Sequence, residues 1–183
     1  MLRKLTSLPI VLGALVSTGL AAQECIDDTP EIHPRGQFVD QMDGTILDVS
    51  NGLYWSRCNL GETYNETTNS CAGTPISFND WQSALIAAAD PANTTIGEHS
   101  GFRLPNIKEL QSLVDYRCIS PATSIEFFPS ALNAPYWSST PDANDVNPLP
   151  GYDALMIDFK DGQEMESASA GIILVRLVKH ISE

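Results

Sequence analysis

Basic residues are scarce in this chain. Only 10 of its 183 residues are Lys or Arg, against 23 Asp or Glu, for a formal net charge of −13. Nucleic acid, anionic lipid and sulfated glycans are held by clustered cations that displace counterions, so the composition argues against polyanionic partners. Histidine is nearly as rare: His33, His99 and His180 are scattered, and no close cysteine pair completes a zinc-ligand spacing with them. Neither GxGxxG nor GxxxxGK occurs, which removes the glycine loops that cradle phosphates. Past the amino-terminal segment no apolar run approaches the roughly 20 residues of a membrane helix. Repeats, low-complexity tracts and interdomain linkers are also missing.

The first residues, "MLRKLTSLPIVLGALVSTGLAAQEC", carry Arg3 and Lys4, then an apolar run from Leu5 to Leu20, then the small pair Ala21 and Ala22. That order is an export signal, with cleavage expected after Ala22. Pro9, Gly13 and Gly19 speak against the alternative, a buried helix. Lipid attachment would need a cysteine at the cut, whereas Gln23 and Glu24 intervene before Cys25. The expected organisation is therefore a signal peptide over 1–22 and one domain over 23–183, periplasmic or extracellular. Losing Arg3 and Lys4 with the signal takes the charge from −13 to −15.

Cys25, Cys58, Cys71 and Cys118 all lie in the exported part, where disulfides are the default. Four cysteines allow three pairings. "CNLGETYNETTNSC" lacks apolar residues to hold itself together, which selects Cys58 with Cys71. Cys25 with Cys118 would then tie down the mature amino terminus.

Short β-forming runs separated by Asp43-Gly44 and Asn51-Gly52 predict a strand meander across "QFVDQMDGTILDVSNGLYWSR". Asp40, Asp43 and Asp48 do not have the spacing of an EF-hand loop, and turn chemistry accounts for them. Phe78, Trp81, Leu85 and Ala88 predict a helix over 78–89, with Ser77 as N-cap and Asp90-Pro91 as stop. A second helix is expected over 107–115. Asn106 caps it, Glu109 reaches back from the third helical position, and Ile107, Leu110, Leu113 and Val114 form its buried stripe. "APYWSST" and "YDALMIDFKDGQEM" read as strands, the latter with Leu155, Ile157 and Phe159 on one face. "GIILVRLVKHI" starts apolar on both faces, as a central strand does. The order strands, helix, helix, strands predicts an α+β fold.

"DGTILDVSNGLYWSRC", "FNDWQSAL", "FRLPNIKELQSLVDYRC", "FFPSALNAPYWSST" and "VRLV", in this order, resemble the Lcl C-terminal domain family of exported bacterial proteins, named for the end of a collagen-like adhesin. Phe102 stands where that family commonly has Trp before Arg-Leu-Pro. The resemblance implies a C-type-lectin-like fold, with two short helices packed on irregular antiparallel sheets and a long loop before the last strands. It also implies a recognition or adhesion role. The family's adhesin attaches to sulfated host glycans, but the acidic balance here points instead to a cell-surface protein or a neutral glycan.

In the related lectin fold the long loop binds calcium and sugar. Here the stretch between Thr140 and Tyr152 offers Asp142, Asn144, Asp145 and Asn147 as ligand-binding residues, with Asp142, Asn144 and Asp145 as oxygen donors for calcium. A polar loop tip is the competing reading, and the sugar-selecting Glu-Pro-Asn and Trp-Asn-Asp tripeptides are not present. No catalytic residues are expected. Ser138 and Ser139 lack a nucleophile-elbow context, and His99 sits in a polar loop. Asp158 and Asp161 flank a hairpin turn, and four paired cysteines leave no reactive thiol. A structural or assembly subunit of an envelope complex is the alternative to a binding module, with a hydrolase behind both.

Overall fold

The computed structural model describes residues 22–26, 28–142, 154–166 and 171–181. The expected signal peptide therefore lies almost wholly outside the described residues, as do Asn144, Asp145 and Asn147.

Along the chain come β1 (Glu24–Cys25), β2 (Phe38–Asp40), β3 (Thr45–Asp48), β4 (Leu53–Ser56), β5 (Glu62–Asn65) and β6 (Ser70–Gly73). Then follow α1 (Trp81–Ala89), β7 (Thr95–Ile96), β8 (His99–Ser100), α2 (Ile107–Gln111) and β9 (Cys118–Ile119). The last elements are β10 (Pro135–Pro141), β11 (Ala154–Asp158), β12 (Gln163–Met165) and β13 (Val178–His180). With two short helices and several small antiparallel sheets among the described residues, the fold is α+β, richer in strand than in helix.

The expected meander is β2, β3 and β4, and β13 joins it in the order β13-β4-β3-β2. Its first turn is made by Asp43, whose Oδ1 accepts from both the amide and the hydroxyl of Thr45. Gly44 follows at φ +91°, a conformation that favours glycine. A second sheet has the order β10-β11-β12, and β5-β6, β7-β8 and β1-β9 form two-stranded pairs.

Helix α1 begins later than its apolar spacing predicts. Asp80, not Ser77, is the N-cap, accepting from the Ser83 amide at 2.7 Å. The reason is tertiary: Phe78 donates its amide to Ile173, and the Ser77 hydroxyl accepts from the Ile173 amide. The chain at 77–78 is thereby committed to an extended path. Helix α2 has the expected reciprocal cap between Asn106 and Glu109. It ends at Gln111, four residues early, and Leu113 and Val114 continue in tight turns while staying buried.

Two buried clusters are separated by the strands that alternate between them. On β11 and just beyond, Ile157 and Phe159 enter one cluster with Leu155 packed against it, while Ala154 and Met156 enter the other. In the approach to β13, Leu174 and Val178 face the first cluster and Ile173, Val175 and Leu177 the second. This is the two-faced apolar character expected of "GIILVRLVKHI". Trp55, Tyr136 and Phe128 fill the first cluster, and Trp137, Phe102 and Leu104 the second.

Cys25 bonds Cys118 and Cys58 bonds Cys71, the pairings selected from the sequence. The first spans 93 residues and locks β1 against β9 in register; the second staples a wall of the groove described next.

Candidate functional site: a groove beside the stapled hairpin

A groove of about 320 Å³ opens between the 56–64 segment and the 92–96 segment that follows α1. Buried Leu60, Cys58 and Leu177 form its apolar lining, while Glu62, Thr63, Tyr64, Asn93 and Thr95 supply the polar groups. Its volume lies at the small end of the roughly 300–1,000 Å³ of ligand pockets.

The floor is held rigidly. Asn59 is 2% exposed. Its amide nitrogen reaches Ser130, while its side-chain oxygen accepts from the Tyr136 hydroxyl and the Arg176 guanidinium. Arg176 also donates to the Ser56 and Arg57 carbonyls and stands 4.8 Å from the centre of the Phe128 ring. Burial lowers the Arg176 pKa from its ordinary value, opposed by the Tyr136 hydroxyl and the Glu62 carboxylate nearby. The Asn59 backbone amide donates in turn to Glu62 Oε2 at 2.8 Å, holding that carboxylate at the groove.

The wall is a chain of charged and polar contacts. Arg57 donates to Asp40 Oδ2 at 2.8 Å, and the same oxygen accepts from Asn69 Nδ2. With its nitrogen so committed, Asn69 presents Oδ1 to the Tyr64 hydroxyl, which donates at 2.8 Å. Desolvation and then the Asp40 carboxylate push the Tyr64 phenol up, so it keeps the proton it donates. Gly44 closes against the Tyr64 ring; a Cβ at Gly44 would sit 3.0 Å from Tyr64 Cγ. Behind this turn His99 stacks on Tyr54 at 4.1 Å and lies 3.8 Å from Asp43.

Asp142, the one described member of the expected ligand set, does not line this groove. Asp142 follows the end of β10, and its partners in the expected calcium set fall outside the described residues. Among the described residues no group of three or more His, Cys, Asp or Glu side chains is arranged to hold a metal. Ser138 is fully buried and donates to the Leu155 carbonyl. The groove residues were missed because "CNLGETYNETTNSC" reads as a polar loop; the available signal was the alternation Glu62, Tyr64 within it, since β5 and β6 form a hairpin.

A second polar hollow lies at α2, lined by Asn51, Asn106, Lys108, Glu109, Ser112 and His180. Burial alone would raise the Glu109 carboxyl, but paired hydrogen bonds from Arg103, the Asn106 amide and the Arg103 and His180 charges hold it below the usual range. Glu109 is thus bound up in capping α2. Among the described residues no helix is long and apolar enough to cross a membrane.

No curated protein and no solved structure matches the chain. The profile of the Lcl C-terminal domain does match, from residue 44 to residue 179, across β3 and β4 of the meander, both helices and all the later strands but the final residue of β13. The chain belongs to the Lcl C-terminal domain family.

Proposed function

We propose that this chain is an exported, non-enzymatic recognition module of the C-type-lectin-like kind, which binds a glycan or protein on a cell surface through the groove beside the Cys58–Cys71 hairpin. The observation that carries the reading is the groove's construction. Its polar groups are placed by the buried Asn59–Arg176 network and by a disulfide-stapled wall, so a ligand would meet a preorganised surface. Export is supported by the signal-like amino terminus, the two disulfides and the family. A binding role is favoured over hydrolysis because, among the described residues that line the groove, Glu62 is the one carboxylate and there is no histidine.

The test is binding of the oxidised protein to intact cells and to immobilised glycans and surface proteins. A Thr95→Trp variant, which fills the groove mouth from an exposed position, should weaken binding at least about tenfold while leaving thermal unfolding unchanged. Absence of binding to every surface, or equal binding by the variant, would reject this reading.

One observation favours an assembly subunit instead. Leu132 and Ile172 are 40% and 57% exposed and rim a second groove with Ala134, Pro135 and Met165. Such apolar side chains suit a protein interface. Co-purification with one stoichiometric envelope partner, lost in Leu132→Lys with Ile172→Lys, would support that role.

A further inference from the structure

The charged and phenolic groups of the hairpin groove, Glu62 and Tyr64, face a ligand as acceptors, and the bonding pattern behind them decides this. The Asn69 amide is oriented by Asp40, so its oxygen faces Tyr64 and the phenol must spend its proton there. What Tyr64 has left for a ligand is oxygen lone pairs. Across the groove Asn93 gives one side-chain N–H to the Ala87 carbonyl at 2.9 Å, which leaves its oxygen and a second N–H. Glu62 accepts one backbone amide and forms no ion pair among the described residues, although its wall is otherwise cross-linked by charge. The Thr63 and Thr95 hydroxyls and the remaining Asn93 N–H are the neutral donors among these groups, while Glu62 and Tyr64 offer oxygen lone pairs.

A lining of this kind, with a carboxylate and no cation among its described side chains, repels carboxylate, sulfate and phosphate, and it offers an acetamide carbonyl only neutral donors. It suits a ligand rich in donors, above all one carrying a positive charge to meet Glu62. The two threonine hydroxyls and the Tyr64 and Asn93 oxygens, spread over both walls, favour a polyhydroxylated ring over a slender alkyl chain.

From this arrangement we propose that the groove binds an amino sugar with a free amine, its ammonium on the Glu62 carboxylate and its ring hydroxyls on Thr63, Tyr64, Asn93 and Thr95. This rests on the recognition role proposed above and narrows its ligand from glycans in general to amine-bearing ones. Asn59 stands between Arg176 and Glu62, and the guanidinium is itself hydrogen-bonded to neutral acceptors rather than to the carboxylate.

The test is calorimetric titration of the oxidised protein, at mildly acidic pH where the amine is protonated, with three methyl glycosides that differ only at carbon 2. These are methyl glucosaminide, its N-acetyl derivative and methyl glucoside; Nα-acetyl-lysine amide supplies the same ammonium on a peptide side chain. The glucosaminide should bind at least about tenfold more tightly than the other three. Glu62→Gln retains an oxygen for the Asn59 amide and should erase that preference, with Thr95→Val weakening all the sugars together. Equal or tighter binding of the acetamide, hydroxyl or lysine compound, or a preference that survives Glu62→Gln, would overturn the proposal. If Glu62→Gln fails to fold, the ranking of ligands by the unaltered protein decides alone. Binding to cell surfaces without any response to the glucosaminide would reject the amino-sugar ligand and leave the recognition role standing.

Discussion

Asn59 and Arg176, 117 residues apart in sequence, meet in the interior, where Asn59 Oδ1 accepts from the guanidinium at 3.0 Å. The same guanidinium nitrogen fork satisfies two carbonyls of the segment leaving β4, so one buried cation joins the meander, the groove floor and the path into β13. Buried charge is costly unless its donors are satisfied, and here the partners are neutral oxygens and an aromatic face rather than a bonded carboxylate.

Replacing Arg176 should therefore be among the most damaging single changes. Arg176→Leu takes the guanidinium from the Ser56 and Arg57 carbonyls and leaves Asn59 Oδ1 with the Tyr136 hydroxyl alone, and should lower stability by roughly 3–5 kcal/mol. Arg176→Lys keeps the charge without the planar fork and should cost about 2 kcal/mol or more. Urea unfolding of the two variants measures both; a loss of only a few tenths of a kcal/mol in Arg176→Leu would contradict the keystone role.

The disulfides should separate by loop length and by function. Removing Cys25–Cys118 frees a 93-residue separation and should cost about 4–5 kcal/mol; removing Cys58–Cys71 frees 13 and should cost about 3 kcal/mol. Paired serine variants, followed by thermal unfolding and ligand binding, should show the smaller stability loss but the larger loss of groove binding for Cys58→Ser with Cys71→Ser.

Acid should weaken the fold through Glu109 and Asp115. For Asp115 too, burial would raise the carboxyl, but hydrogen bonds and charge from Arg117 outweigh it, so both groups titrate below their ordinary values in the folded state. A depressed folded pKa means stability that is complete above the unfolded value, about 4, and is lost as pH falls through the folded one. Unfolding free energy should fall steadily below about pH 5, and less steeply in Glu109→Gln. An identical slope in that variant would remove Glu109 from the explanation.

Gly44→Ala should unsettle the hairpin groove from behind. The position has φ +91°, and the new Cβ would press within 3.0 Å of the Tyr64 ring. The expected cost is about 1–3 kcal/mol, with a change in Tyr64 fluorescence or ring resonances that a purely local backbone effect would not produce.

Much of the fold was written locally. The Asn106–Glu109 cap, the Asp43-Gly44 turn and the both-sided apolar run before Val178 each use contacts within a few residues or a simple period, and each is present. The scarcity of apolar residues in the 58–71 loop likewise selected its staple. Ser77 shows the limit: as an isolated signal it is a good N-cap, but pairing with Ile173, 96 residues on, takes its hydroxyl and hands the cap to Asp80.

The groove lay beyond such reading for the same reason. Glu62 and Tyr64 are unremarkable polar residues until Asn59, Asp40 and Asn69 claim their other hydrogen-bonding groups and leave oxygen lone pairs to face a ligand. Charge, cysteine pairing, turns and caps depend on composition or near neighbours and are legible along the chain. Which lone pair or proton remains unspent depends on partners dozens of residues away, and only packing brings those together.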